Sequence, residues 1–218
     1  MRKREGEKVL LIAETNWLES IALVQDPVAS YLLDLADTKE IEIAVPRYSF
    51  YEADGSLNRK LIKRAEKIDD ALSLLGQISQ SGHSADLCKR GREILKELKK
   101  LTLSDRAEIK RVLDAIKAMI QVIPYVSDAS ARAEMIFESS RPPFKGGDCR
   151  IYASILVFLE HIEEGYNPII FYTEDKEDFD HPEIQVELEN LSVEIMFDSG
   201  RCVERILKIT EQKDNHEK

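Results

Sequence analysis

Several residue types are scarce in this chain, and each scarcity excludes a class of protein. Its 218 residues include only three cysteines, Cys88, Cys149 and Cys202, which are widely spaced and form no Cys-x-x-Cys pair. We therefore expect neither a disulfide framework nor a thiolate zinc site, and a reducing compartment, the cytoplasm, is the expected location. The four histidines form no His-x-x-x-His pair or other metal-binding spacing.

Long apolar runs and an excess of positive charge are also missing. The run from Val9 to Ala13 ends at Glu14 and is too short for a signal peptide. No run approaches the roughly 18 apolar residues of a transmembrane helix, so we expect no membrane partner. Against 41 Asp and Glu stand 31 Lys and Arg, a net charge of -10. This balance argues against a clamp on nucleic acid that covers the whole surface, but it allows a local basic rim.

Short apolar runs alternate with helical patterns, which is typical of an α/β fold with a parallel sheet. The predicted strands cover residues 9–13, 41–45, 168–172 and 191–197. Over about 57–137, apolar residues recur at steps of three and four, which predicts helices, with Ser104 as the N-cap of one of them. This middle is too long for an ordinary crossover, so we expect one domain over 1–218 with a helical insertion.

Four acidic residues lie where predicted strands end, or where a predicted helix begins. Glu14 follows the first strand, Glu52 the second and Asp175 the third, while Asp148 opens a helix. In open α/β sheets, ligands bind in the crevice at the carboxyl ends of the strands. Carboxylates that converge there supply the oxygen ligands of a hard divalent cation. The pattern therefore predicts a Mg²⁺ or Mn²⁺ site.

The order of these motifs resembles that of the PIN-domain nucleases, in particular a longer PIN-like subgroup with a helical insertion. The matching segments are the turn Glu14-Thr15-Asn16, Glu52 after the second strand, the helix start Lys145 to Asp148, and the turn Thr173 to Phe179. They touch positions of about 8–55 and 141–200, and the helical middle carries no matching motif. The family's first acid is usually Asp, and Glu14 departs from it by one methylene.

The resemblance implies a three-layer α/β/α fold with a mainly parallel sheet, and a metal-dependent ribonuclease that hydrolyses single-stranded RNA. The catalytic carboxylates would be Glu14, Glu52, Asp148 and Asp175. The metal ligands among them would be Glu14, Asp148 and Asp175, with Glu52 positioning the attacking water or completing the shell. The residues that orient these carboxylates would be Asn16, Thr173 and Asp178. The phosphate contacts nearest the site would be Arg141, Lys145 and Arg150.

Other functions remain open. A toxin-like enzyme would have an antitoxin or regulatory protein as a partner, and a homo-oligomer is compatible with the sequence. With Glu14 as first acid, the site could prefer Mn²⁺, or be degenerate, leaving a binding or scaffold protein. A phosphoacceptor domain also gathers acids at strand ends, but it should carry paired acids after the first strand and a late lysine. The turn at Glu14 has one acid, and Tyr172-Thr173-Glu174 has no lysine.

Overall fold

The computed structural model describes residues 8–81, 84–162 and 165–216, which fold into two compact units. One unit contains the chain up to Ala53 and again from Ala115, and the other runs from Asp54 to Asp114. The described helices are α1 (Thr15–Ala22), α2 (Pro27–Asp37), α3 (Arg47–Ile78), α4 (Ala85–Met119), α5 (Ser127–Glu138), α6 (Gly146–His161), α7 (Lys176–Phe179), α8 (Pro182–Asn190) and α9 (Ser199–His216). None of them carries an apolar stretch that would reach across a lipid bilayer.

The first unit is built on a sheet whose five described strands are all parallel, in the order β3-β2-β1-β4-β5. The strands are β1 (Lys8–Ala13), β2 (Ile41–Pro46), β3 (Gln121–Ile123), β4 (Tyr166–Tyr172) and β5 (Val193–Met196). The central strand β1 is fully buried from Val9 onward, as expected for a parallel strand that is covered on both faces. Its apolar run therefore fixes the middle of the sheet.

Alternating side chains of β1 serve two separate helical layers. Leu10 and Ile12 share a buried cluster with Ile151 and Ile155 of α6, and α8 contributes to the same cluster. Because successive strand residues point to opposite faces, Val9 and Leu11 face the other layer. On that layer α2 contacts β2, and α9 contacts both β5 and α2. The result is the three-layer α/β/α arrangement that the resemblance implied.

The second unit consists of the antiparallel segments of α3 and α4 between Asp54 and Asp114. Their antiparallel register is visible in two ion pairs: Lys99 Nζ lies 2.6 Å from Asp69, and Arg64 lies 3.6 Å from Asp105. Apolar residues that recur at steps of four, seven or multiples of seven are buried along both segments, namely Leu57, Leu61, Ile68, Cys88, Ile109 and Leu113. This periodicity is the one that predicted helices here.

Two local expectations about the middle of the chain differ from the structure. Ser104 does not cap a helix: α4 continues through it, and its hydroxyl donates to the carbonyl of Leu101 at 2.7 Å, one turn earlier. Serine makes this local bond inside helices as well as at caps, so the signal was ambiguous. Strand β3, within the stretch predicted to be helical, was missed because its three residues are too few to show a period.

Candidate metal centre

The carboxyl ends of β1 and β4 bring two distant residues of the chain together. These strands pair as far as Ala13 and Tyr172, so Glu14 and Thr173, the next residue on each, are neighbours. The hydroxyl of Thr173 donates to Oε1 of Glu14 at 3.2 Å, and the backbone N–H of Asn16 donates to Oε2 at 3.1 Å. The buried Glu14 carboxylate is therefore held on both oxygens, and Glu14 also caps α1.

The same Thr173 hydroxyl also fixes the turn that carries the next acid. The hydroxyl accepts a hydrogen bond from the backbone N–H of Asp175 at 3.0 Å. The backbone N–H of Thr173 donates to the carbonyl of Met196 in β5. Thr173 is fully buried. One hydroxyl thus connects the first and the last acid of the sequence pattern.

Replacing Thr173 by valine is expected to lower the free energy of unfolding by about 1–3 kcal/mol. Valine has nearly the same shape, but it leaves the buried Oε1 of Glu14 without its donor and the N–H of Asp175 without its acceptor. Urea denaturation of the natural chain and both variants, Thr173→Val and Thr173→Ser, measures the effect. Serine keeps the hydroxyl, so equal losses in the two variants would show that packing, and not the hydroxyl, is what matters.

Three aspartates form the most compact acidic group in the described part of the first unit. Asp148, Asp175 and Asp178 each bring a carboxylate oxygen within 4.8 Å of the other two. Asp148 lies in the first turn of α6, and Asp175 caps α7 by accepting from the N–H of Asp178 at 3.1 Å. Asp178, expected either to orient the others or to cap the following turn, is itself a member of this cluster. Its carboxylate also accepts from the N–H of Phe144 at 3.0 Å.

Glu52 approaches the start of α6 from α3. Its Oε2 accepts from the hydroxyl of Thr15 at 2.7 Å, a contact the sequence analysis did not foresee. Its Oε1 lies so close to Gly147 that a β-carbon there would come within 2.4 Å of it. The glycine therefore lets a carboxylate reach the backbone next to Asp148. The matching segment from Lys145 to Asp148 contains this glycine, but nothing in the sequence indicates that Glu52 lies against it.

Burial, together with repulsion from neighbouring carboxylates, raises the pKa values of Asp148 and Glu14. Burial raises the pKa of Asp148 to about 7, and the charges of Glu52, Asp178 and Asp175 add to the effect while Lys145 opposes it. Burial likewise raises the pKa of Glu14 to about 8. The hydrogen bonds from Asn16 and Thr173 lower this pKa, and the charges of Asp148 and Glu52 raise it further. A hard divalent cation takes such oxygen ligands and relieves this repulsion. The donor set therefore fits Mg²⁺ or Mn²⁺.

Lys145 already serves as a countercharge in this cluster. Its ammonium donates to Asp178 and lies 3.6 Å from Asp175 and 3.9 Å from Glu177. The hydrogen bond to Asp178 and the neighbouring carboxylates raise its pKa above the ordinary value. A phosphate contact, the role expected of Lys145, would compete with this bond.

The two arginines expected to contact phosphate lie in different surroundings. Arg141 donates to Glu183 of α8 at 3.1 Å. Arg150, exposed on α6, donates to the hydroxyl of Tyr48 at 2.7 Å, with its guanidinium carbon 5.1 Å from the centre of that ring. The ring of Tyr125 lies 6.1 Å from that of Tyr48. Arg150 is therefore a fixed positive charge on an aromatic platform, two residues from Asp148.

The fold and the site define a class of protein: an α/β/α domain with acidic residues gathered at the carboxyl edge of a parallel sheet. A family model described as a PIN domain matches residues 11–179, more than half of the chain and all of the acids above. The chain belongs to the PIN-domain family, as its motifs predicted. PIN domains are generally nucleases, and they usually use divalent metal ions.

Other comparisons add little to this assignment. No curated protein matches the chain. Among solved structures, the chain is similar to a VapBC2 from Rickettsia felis, crystallised bound to a DNA fragment from the promoter. The identity is 9% and the TM-score 0.42, over 86% of this chain and 98% of that one. A similarity at this level carries no conclusion about the present chain.

Proposed function

We propose that the protein is a divalent-metal-dependent endoribonuclease that hydrolyses phosphodiester bonds of single-stranded RNA. The observation that carries the proposal is the cluster of Asp148, Asp175 and Asp178 at the carboxyl edge of the sheet in a PIN domain. Water alone hydrolyses such bonds slowly, because the phosphate is already negatively charged and repels a nucleophile. Carboxylates by themselves would increase that repulsion, so hydrolysis at this cluster would need a divalent cation to offset it.

The proposed roles follow from what each side chain can reach. The metal ligands are Glu14, Asp148 and Asp175, and the geometry adds Asp178. A bound Mg²⁺ or Mn²⁺ ion would supply stabilisation of charge on the phosphate and activation of water. Glu52, held by Thr15, would orient the attacking water. Thr173 and the backbone of Asn16 fix the carboxylate of Glu14, so that binding the ion would cost little rearrangement there.

The surroundings of Asp148 suggest how a single strand would be held. Arg150 offers its guanidinium to a phosphate or a base, and Tyr48 and Tyr125 behind it keep that group in place. Unpaired bases stack on aromatic rings and on guanidinium planes, and a single strand exposes them where a duplex does not. Arg141 and Lys145 would have to exchange their carboxylate partners for phosphate oxygens.

The wider context is part of the same proposal. We propose one PIN domain over the whole chain, with the helical unit between Asp54 and Asp114 as its insertion. A toxin-like ribonuclease would need an antitoxin or regulatory protein to keep it inactive. Three buried cysteines that form no disulfide are compatible with the reducing cytoplasm.

A second candidate function is a binding protein that has kept the fold and lost turnover. One observation favours it: burial raises the pKa of Glu14 to about 8, so this carboxyl group is largely protonated at neutral pH in the absence of a cation. A protonated acid is a poor metal ligand. Glu14→Asp separates the two candidates, because a large gain in cleavage would mark the natural site as impaired.

The experiment that tests the proposal is cleavage of a mixed pool of single-stranded RNA with Mg²⁺, with Mn²⁺ and with EDTA. We expect cleavage with at least one of the two ions and none with EDTA. Asp148→Asn, purified in the same way, controls for contaminating ribonuclease. No cleavage by the natural chain with either ion, from a protein whose circular dichroism shows it to be folded, would reject the nuclease and favour the binding protein.

A further inference from the structure

The helical unit between Asp54 and Asp114 carries a row of exposed apolar side chains on α4. The row consists of Leu87, Ile94, Leu98 and Leu101, each between 46 and 71% exposed. Their spacing of seven, four and three residues places them on one face of the helix, over a length of about 21 Å. Single exposed leucines are ordinary on a protein surface, but a row of four on one helix face is not.

A leucine of α3 extends this row into a face formed by both helices. Every member of the row directly precedes a residue turned towards α3, for example Lys99, which binds Asp69, or the buried Cys88. On α3, the exposed Leu74 directly precedes Leu75, which packs against Gly91 of α4. Successive residues of a right-handed helix are 100° apart around its axis. In an antiparallel pair of helices, the residue just before one that faces the partner helix therefore points to the same side of the pair on both helices. Leu74 therefore joins the row, and we call the five side chains the hairpin face.

We infer that the hairpin face packs against the hairpin face of a second copy of this chain, with α4 antiparallel to its counterpart and Ile94 on the twofold axis. Two of the apolar residues are symmetric about this point, since Leu87 lies seven residues before Ile94 and Leu101 seven residues after it, whereas Leu98 has no apolar counterpart four residues before Ile94. A twofold axis there sets Leu87 of one copy opposite Leu101 of the other. Self-complementarity of this kind is what an isologous interface requires.

Two charges beside the row are symmetric about the same point to within one residue. Arg90 and Glu97 lie four residues before and three residues after Ile94, on the edge of α4 turned away from α3. In an antiparallel pair centred on Ile94, Arg90 of each copy comes opposite Glu97 of the other, so both copies gain an ion pair and no like charges meet. A different protein would need only a surface complementary to the face, and it would give no reason for the symmetry within it. The charge pattern therefore favours a second copy as the occupant.

The lysines of α3 do not oppose this arrangement. The register of Lys99 with Asp69 and of Leu75 with Gly91 puts Leu74 level with Ile94 to within about one turn. The twofold axis then passes close to Leu74 as well, and the two copies of Leu74 meet. Lys60, Lys63 and Lys67 lie two or more turns from the axis, so the lysines of one copy do not face those of the other.

The mass of the full chain in solution, measured by sedimentation over a range of micromolar concentrations, tests the inference. We expect the mass to rise from the 24.9 kDa of one chain to about twice that value. Ile94→Asp is expected to weaken the dimer at least about 100-fold, because it buries two like charges on the axis. Leu103→Asp is the matched control: Leu103 is similarly exposed on α4, but it directly follows a buried residue and so lies on the opposite side.

Charge reversal gives a second test that does not depend on any apolar substitution. Arg90→Glu and Glu97→Arg are each expected to weaken the homodimer, since each sets like charges opposite one another. Mixed in equal amounts, the two variants are expected to form a heterodimer, because every ion pair is then restored; an affinity tag on one variant detects it. A natural chain that stays at 24.9 kDa, a dimer that Ile94→Asp leaves intact, equal disruption by Leu103→Asp, or no heterodimer in the mixture would each overturn the inference.

Discussion

Asp148→Asn is expected to lower the rate of metal-dependent cleavage about 1000-fold and, at the same time, to stabilise the metal-free protein. A thousandfold loss corresponds to about 4 kcal/mol of transition-state stabilisation, the order expected when a metal site loses a ligand. The gain in stability has a separate cause. Asparagine keeps the size of aspartate, but it removes a charge that burial disfavours and that Glu52, Asp178 and Asp175 repel. Few substitutions outside a functional site stabilise a protein while abolishing its activity.

Both effects are measured on the same preparations: cleavage under single-turnover conditions with Mn²⁺, and thermal unfolding with EDTA. Glu177→Gln is the matched control. Glu177 also lies within 4 Å of Lys145, at 3.9 Å, but its side chain is largely exposed and outside the cluster of three aspartates. Full activity of Asp148→Asn would remove Asp148 from the metal site. Loss of activity together with a lower melting temperature would assign it a structural role instead.

The metal-free protein is expected to lose roughly 5 kcal/mol of stability between about pH 5 and pH 8.5, about 4 kcal/mol of it from Glu14 and the rest from Asp148 after allowance for solvent screening. The pKa of Asp148 is raised from 3.8 to about 7 and that of Glu14 from 4.5 to about 8. In this range the native protein holds protons that the unfolded chain has released. By linkage, its stability is then highest at the acidic end and falls as the pH rises through the folded-state pKa values.

Urea denaturation at a series of pH values, with EDTA and then with Mg²⁺ or Mn²⁺, measures this slope. The ion is expected to restore the stability lost at high pH, because it binds the ionised carboxylates of the native state only. Glu14→Gln should remove part of the slope. Glu42 and Glu194, whose pKa values are lowered by Lys8 and Arg205, act in the opposite sense, but only at more acidic pH. A flat profile with EDTA would contradict the raised pKa values of Glu14 and Asp148.

The sheet was largely predictable because its strands are apolar on both faces. The runs ending at Ala13, Val45 and Tyr172 correspond to β1, β2 and β4 within two residues, and the last predicted strand contains β5. Burial on both faces leaves a continuous hydrophobic run that a sequence shows directly. Because parallel strands end at the same edge, the neighbourhood of Glu14 and Thr173 could be anticipated without coordinates.

The details of the site were harder to predict, for reasons of side-chain direction. Asp178 lies inside the short helix α7, whose cap is Asp175, and only the turn of this helix brings it to Asp148 and Asp175. Thr15 reaches Glu52 across 37 residues, a contact that depends on how α3 lies against the start of α1. Lys145 and Arg150 were expected to be equivalent, yet one is bonded to an acid and the other to Tyr48.

The order of the strands affects how readily the sheet can aggregate with other molecules at high concentration. The two outermost strands, β3 with three residues and β5 with four, are the shortest in the sheet. An outer strand exposes N–H and C=O groups on which a foreign strand can add, and long flat edges of this kind seed aggregates. The long strands are enclosed in the middle, where neither side is open. The sheet therefore offers little template for growth from one molecule into the next, and recognition of other chains is left to helices and side chains.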